Sequence, residues 1–313
     1  MNHVQSQVGC TVVGDAIVDL FIPVDSFDQF NKALVGGILN TDCTISPGGT
    51  ANVAAGIASL GSTSAFVGKV GADCFGTFFI KDLKKTHVLP HVSVSKTRKT
   101  GLAIVLSSMS DNDRFFIVDR GANVELSPND IDYNLAHGTK IVFFSGFSLQ
   151  DPNVSKVVLS FIKEAALAGS TIVFNPGAHN IVATSGAAVI EAIQRYADIV
   201  ILNHAEGQRI SHGSTDEQII DYLLELDVRT VALTKGAQGS VISTRSRVCR
   251  IKPPPCEMVD ATGAGDAYAA GFIYGMIKGW ELEKVGNFAT VLSQAVVSQR
   301  GPRCDFSKIR AFG

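Results

Sequence analysis

The chain has 313 residues, 46% hydrophobic and 18% charged, which is enough apolar material for a full core and too much for a disordered chain. Its 27 basic and 29 acidic side chains leave a net charge of −2, without the electrostatic footprint of a protein that grips a phosphate backbone, so no nucleic-acid partner is expected. Six cysteines with no Cys-x-x-Cys pair read as reduced thiols rather than as a disulfide frame or zinc site.

Residues 1–9 are polar and lack the basic start and apolar stretch of a signal peptide, which predicts a cytoplasmic protein. The run Val8–Val13 reads as the opening strand, and Gly14-Asp15-Ala16-Ile17-Val18-Asp19 follows it. Asp15 thus stands just beyond a strand end, where ligands of open α/β sheets bind, although an Asp after a Gly is more usually a turn former. Segments 16–46 and 92–119 hold short alternating pieces such as Leu102–Leu106 and Arg114–Val118, joined by polar loops, and predict a small β-sheet projecting as a lid. Between them, Gly48-Gly49-Thr50-Ala51-Asn52 precedes the helical pattern Val53–Leu60; read locally, it is equally well a strand-to-helix turn with an incidental Asn. Lys81, Lys84 and Lys85 read as one solvated helix face. His87 and His91 have the spacing of helical metal ligands, but Pro90 argues against a continuous helix and no metal role is assigned.

From about residue 140 onward, the apolar runs Lys140–Phe144, Thr171–Phe174, Asp198–Leu202 and Arg229–Leu233 alternate with longer helix-like segments. Such runs predict a parallel sheet covered on both faces. Phe143 and Phe147 lie at the end of the first of these strands, where either ring could stack on a nucleoside base, though such positions are more often core. The uncharged stretch 165–190 is interrupted by Asn175, Pro176, Gly177, His179 and Asn180, so it reads as strand, turn and helix rather than as a bilayer span. Asn203-His204-Ala205-Glu206 and Thr234-Lys235-Gly236-Ala237-Gln238-Gly239 each follow a strand and belong to the same end of the sheet. No Walker-type phosphate loop and no dinucleotide Gly-x-Gly-x-x-Gly is present.

The most informative segment is Asp260-Ala261-Thr262-Gly263-Ala264-Gly265-Asp266, followed by an apolar helical run. Small residues let a ligand approach the backbone at a helix start, where unpaired N–H groups and the helix dipole favour an anion. Asp266, in the first turn, would bring a carboxylate able to take the proton of an attacking hydroxyl. Taken alone, such a turn is more often structural.

This segment resembles the C-terminal signature of the ribokinase-like (PfkB) family, usually Asp-Thr-x-Gly-Ala-Gly-Asp, with Ala261 in place of the usual Thr. The other motifs fall in the family's order, from about residue 8 to about residue 302. The resemblance implies an α/β fold: a three-layer αβα sandwich with a mostly parallel central sheet and a small β-sheet lid. Residues 1–15, 47–91 and 120–313 would form the core, and 16–46 and 92–119 the lid. It implies ATP-dependent transfer of the γ-phosphate to a hydroxymethyl group, with Asp266 as catalytic base and the backbone of Gly263, Ala264 and Gly265 as anion hole. Gly48, Gly49 and Asn52 match the N-terminal signature, with Thr50 replacing a Gly, Ala or Pro, and with Asp19 they would hold the acceptor's hydroxyls. Asn203 and Glu206 match an Asn-x-x-Glu that helps place magnesium and the ATP phosphates, Glu206 through water. Thr234, Gly236 and Gly239 would border the phosphates or ribose, and Asp260 with the carbonyl of Thr262 falls where family members often hold potassium.

The implied acceptor is a small molecule, with no membrane partner, and a homodimer through the lid is the expected assembly. Arg120-Gly121-Ala122-Asn123 resembles a stretch found in several sugar kinases, which favours a sugar or sugar acid over a nucleoside. A non-catalytic sugar- or nucleotide-binding regulator could share the fold, but it need not keep both Asp266 and the small-residue turn.

Overall fold

The computed structural model describes residues 8–24, 26–28, 42–108 and 114–312. In chain order the strands are β1 (Val8–Val13), β2 (Ile17–Val24), β3 (Thr44–Gly48), β4 (Ser64–Gly71), β5 (Val88–Ser95), β6 (Gly101–Ser108), β7 (Arg114–Asp119), β8 (Thr139–Ser145), β9 (Thr171–Asn175), β10 (Ile199–Asn203), β11 (Thr230–Thr234), β12 (Ser240–Ser243) and β13 (Val248–Ile251). The longer helices are α1 (Ala51–Ser59), α2 (Cys74–Lys85), α3 (Pro152–Leu167), α4 (His179–Tyr196), α5 (His204–Ser211), α6 (Asp216–Glu225), α7 (Ala264–Ile277) and α8 (Leu282–Val297).

Nine strands form one sheet in the order β13-β12-β11-β10-β9-β8-β1-β4-β5, parallel from β11 to β5, with β12 and β13 added as an antiparallel hairpin. Both faces of this sheet are covered, so β1 is buried at all six positions and its sequence shows no polar alternation. Adjacent residues feed opposite cores. Phe143 belongs to the core layer of Phe66, Ile57 and Phe272, and Phe144 to the opposite layer, where its ring meets Phe174. Phe143 is therefore core rather than a platform for a base; Phe147 is the exposed ring, and it packs over Gly177.

The chain leaves β1 through Gly14–Ala16 to start a second sheet, ordered β3-β2-β6-β7, in which β2 is antiparallel to β3 and parallel to β6. The crossover is held by side chains in place of strand partners. Asn123 Oδ1 accepts from the N–H of Ala16 at 2.7 Å while its Nδ2 donates to the Ala16 carbonyl at 3.0 Å. Ile17, Phe21, Ala103 and Val105 give the small sheet its own apolar core.

Residues 92–95, grouped with the lid on sequence, belong to β5 and pair with β4 at the edge of the large sheet, Gly71 opposite Ser95. Alternation alone does not distinguish an edge strand of one sheet from a strand of another. The edge position also accommodates Pro90, which lacks a donor. His91 lies within β5 and His87 precedes it with φ 60°, so their i, i+4 spacing marks no helix face. Of the lid segment 16–46, residues 25 and 29–41 lie outside the described residues. Among the described residues, no helix is long and apolar enough to cross a membrane.

Candidate active site

The carboxyl ends of β1, β10 and β11 all open on one edge of the large sheet, and α7 begins beside them. Its first residues are shaped by contacts that only small residues permit. Gly263 has φ 77°, and a Cβ there would stand 2.3 Å from the carbonyl oxygen of Pro302. Asp260 ties this turn to the C-terminal segment: one carboxylate oxygen accepts from the N–H of Thr262 at 2.8 Å and from its hydroxyl at 2.6 Å, the other from the N–H of Gly301 at 3.0 Å. Gly265 is exposed, with nothing within 4 Å of where a Cβ would stand. A ligand can therefore reach the helix start here.

Asp266 follows at once, and its Oδ2 accepts from Asn52 Nδ2 at 3.0 Å. The Asn52 Oδ1 in turn accepts from Arg303 Nε at 2.7 Å, and the guanidinium also pairs with Asp82 on α2. Burial pushes the Asp266 carboxyl up to about 6, with the Asn52 amide and the Arg303 charge opposing it. Asp19, on β2, is pushed up to about 7, first by burial and then by the negative charge of Asp266, again against Arg303. Its carboxylate lies flat against Gly48, where a Cβ would come within 1.9 Å of Asp19 Oδ2. Asp19, Gly48, Asn52 and Asp266 are thus brought together by contact or by field.

Gly49, at φ 59°, turns the chain from β3 into α1. Thr50, the departure from the family pattern, is accommodated by Gly14: a Cβ on Gly14 would lie 2.4 Å from Thr50 Oγ1. That hydroxyl is buried and has no hydrogen-bond partner among the described residues. Asp15, four residues before Asp19, is engaged elsewhere, receiving two hydrogen bonds from Arg120 at 2.8 and 2.9 Å.

Asn203 and Thr234 are cross-strand partners at the ends of β10 and β11. Asn203 and Glu206 form a reciprocal cap at the start of α5, the Asn side chain accepting from the Glu206 N–H and the Glu carboxylate from the Asn203 N–H, both at 2.9 Å. Glu206 is only 3% exposed, and burial drives its carboxyl up to about 7 against the Asn203 hydrogen bonds.

Two clefts flank the α7 turn. One, of about 470 Å³, is walled by Thr234, Gly236, Gly239, the prolines 253–255, Ala264, Gly265 and Tyr268. The other, of about 350 Å³, lies between the small sheet (Phe21, Pro23, Ser107) and residues 258–261, with Arg300 and Gly301. They share Met258 and Ala261. Asp19, Asn52 and Asp266 line neither wall. The two clefts adjoin at Met258 and Ala261, and the Asp266 carboxyl follows directly on Gly265, which stands in the wall of the first.

Sequence reasoning missed Arg303, Asp82 and the Arg120–Asp15 pair. Arg120 and Asn123 fall in a stretch that was noticed. Arg303 carries no local signal, and Asp82 stands on the helix read as a solvated face.

The sequence matches the family described as pfkB family carbohydrate kinase over residues 9–308. It is 30% identical over 280 residues to an ATP-dependent 6-phosphofructokinase of Thermoanaerobacterium thermosaccharolyticum, covering 87% of this chain and 82% of that one. It is 27% identical to a 5-dehydro-2-deoxygluconokinase of Clostridium perfringens, covering 97% and 90%. Among solved structures, adenosine kinase from Sinorhizobium meliloti superposes with a TM-score of 0.88 at 24% identity, covering 98% and 99%, a likeness of fold.

Proposed function

The chain belongs to the pfkB carbohydrate kinase family and is a phosphotransferase acting on a hydroxyl group, and from that premise we propose that it moves the γ-phosphate of ATP to a hydroxymethyl group of a sugar or sugar acid, with Asp266 as base. One observation carries this reading: a carboxyl raised to about 6 stands in the first turn of α7, directly after the open Gly265 that walls the larger cleft, and is hydrogen-bonded to Asn52. A base of that pKa is ionised at neutral pH yet still basic enough to take a proton in flight.

ATP occupies the cleft walled by Thr234, Gly236, Gly239 and the prolines. The acceptor lies on the small-sheet side, its hydroxyls held by Asp19 and Asn52 beside the exposed Gly49, with Gly48 leaving room for the Asp19 carboxylate. Asp266 takes the proton of the attacking hydroxyl as that oxygen bonds to the γ-phosphorus, and the bond from phosphorus to the bridging β-phosphate oxygen breaks to release ADP. N–H groups of Gly263, Ala264 and Gly265 take up the developing charge. Glu206, buried and already holding the Asn203 N–H, would hold magnesium through water, and the ion would supply charge neutralisation for the ATP phosphates. A potassium ion at Asp260 and the Thr262 carbonyl would order the same turn. The setting is the cytoplasm, where ATP is abundant and the six unpaired cysteines stay reduced.

The names of the two relatives favour sugars, and burial of Phe143 in the core removes one candidate stacking surface for a nucleoside base. The edge strand β7 leaves Phe115, Phe116, Ile117 and Val118 each more than half exposed, which supports a homodimer through the lid, checked by sedimentation. The central test is Asp266→Asn, expected to retain ATP and lose about 10²–10⁴-fold in kcat. It is run with a panel of fructose, fructose 6-phosphate, 5-dehydro-2-deoxygluconate, ribose, adenosine and inosine compared by kcat/KM. Near-normal kcat in the variant would end the reading; a nucleoside preferred by about a hundredfold would move it to nucleosides.

A further inference from the structure

We propose that Arg303 is a positioning residue for this reaction: by binding Asn52 Oδ1 it fixes the orientation of the Asn52 amide, so that Nδ2 is presented to Asp266 and the base is held ionised. The inference rests on Asp266 being the base.

The geometry leaves one arrangement. A guanidinium has only donors and an ionised carboxylate only acceptors, so an amide placed between them must turn its oxygen to the arginine and its nitrogen to the aspartate. The two contacts, 2.7 Å from Arg303 Nε and 3.0 Å to Asp266 Oδ2, have that polarity. Arg303 is itself held from the other side by Asp82, whose side chain, like its own, is only 20% exposed. The line Asp82–Arg303–Asn52–Asp266 therefore joins α2, the C-terminal segment, α1 and α7 through side chains alone.

The charged groups around the base oppose one another. Asp19 on β2 brings a like charge, and Arg303 is the cation that acts on both Asp19 and Asp266. Asp82 offsets part of the guanidinium charge from α2, and Asn52 contributes a neutral donor from α1. Without Arg303 the amide is free to flip, and two carboxyls already lifted by burial lose a cation that counters their repulsion.

The experiment reads the base directly, without needing the acceptor. Protein labelled with ¹³C at aspartate side-chain carboxyls is titrated by NMR, with Asp266→Asn assigning the resonance. Arg303→Met should raise the Asp266 midpoint by about one pH unit, and Arg303→Lys, which keeps a donor-only cation on a different geometry, by less. With the best acceptor from the panel, the acid limb of kcat should move upward by the same amount, while KM for ATP stays within about twofold of the parent. A role confined to stability would lower Tm and leave midpoint and acid limb in place. That result in Arg303→Lys alone, should Arg303→Met not fold, overturns the proposal. Were the midpoint to move while Asp266→Asn still turned over the acceptor, the base assignment would fall, and with it the catalytic meaning of Arg303.

Discussion

Asp15 and Asp19 stand four residues apart, one at the end of the large sheet and one at the start of the small one, and the fold treats them in opposite ways. Asp15 at the crossover is buried and receives both hydrogen bonds of a forked Arg120. Asp19 on β2 is pressed against a glycine, and the charge that raises its pKa beyond burial is the Asp266 carboxylate. Burial and a neighbouring carboxylate raise both acids; the forked guanidinium bound to Asp15 marks it as scaffold, whereas Asp19, pressed on a glycine near Asp266, is poised for a ligand.

Breaking the scaffold pair should have the largest effect. Arg120→Met strands a buried carboxylate and is expected to lower stability by about 3–5 kcal/mol in denaturant titrations at neutral pH, with much of it restored when Asp15→Asn is added. An independent, additive pair of effects would show that Asp15 has another partner.

Gly48→Ala attacks the other side. Its methyl would collide with the Asp19 carboxylate, so the cost should be about 1–3 kcal/mol and fall on acceptor KM more than on ATP KM.

Asp19→Asn should do the reverse of Arg120→Met and stabilise the protein. The folded-state pKa is raised from 3.8 to about 7, so the unfolded chain ionises first and the stability lost grows as pH rises from about 4 to 7. Full burial would make this roughly 4 kcal/mol, and partial exposure brings it to about 2 kcal/mol. Tm measured at pH 4.5 and pH 8 should show the gain only at the higher pH, together with weaker acceptor binding; equal gains at both would refute the cause given.

The smallest effect is expected at Thr50→Val, which replaces a buried hydroxyl without a partner by a methyl of similar shape and should add up to about 1 kcal/mol, read as a rise in the urea midpoint.

The sequence made legible whatever repeats or clusters along the chain. The apolar runs of β1, β8, β9, β10 and β11 were each found to within a residue or two, and the small-residue turn before Asp266 is one contiguous word. Contacts between distant segments left no such trace. Asn52 and Arg303 are 251 positions apart, and Arg303 stands in a segment whose neighbours form no repeating pattern. Asp82 has a basic face around it in sequence and turns toward Arg303 in space. Likewise Val92 and Val94 alternate as a lid strand would, and only their pairing with Gly68 and Val70 of β4 assigns them to the large sheet.

The tie between the 301–303 segment and the α7 turn has a consequence for synthesis. Asp19, Asn52 and Asp82 leave the ribosome early, but Arg303, the Gly301 N–H that anchors Asp260 and the Pro302 carbonyl beneath Gly263 come last. At about 5–20 residues per second, the interval between Asn52 and Arg303 is roughly 13–50 s. Through most of that time residues 234–297, which wall the larger cleft, and Asp266 itself are still to be made, so cleft, carboxylate and the Arg303 tie are completed within one late stretch of synthesis.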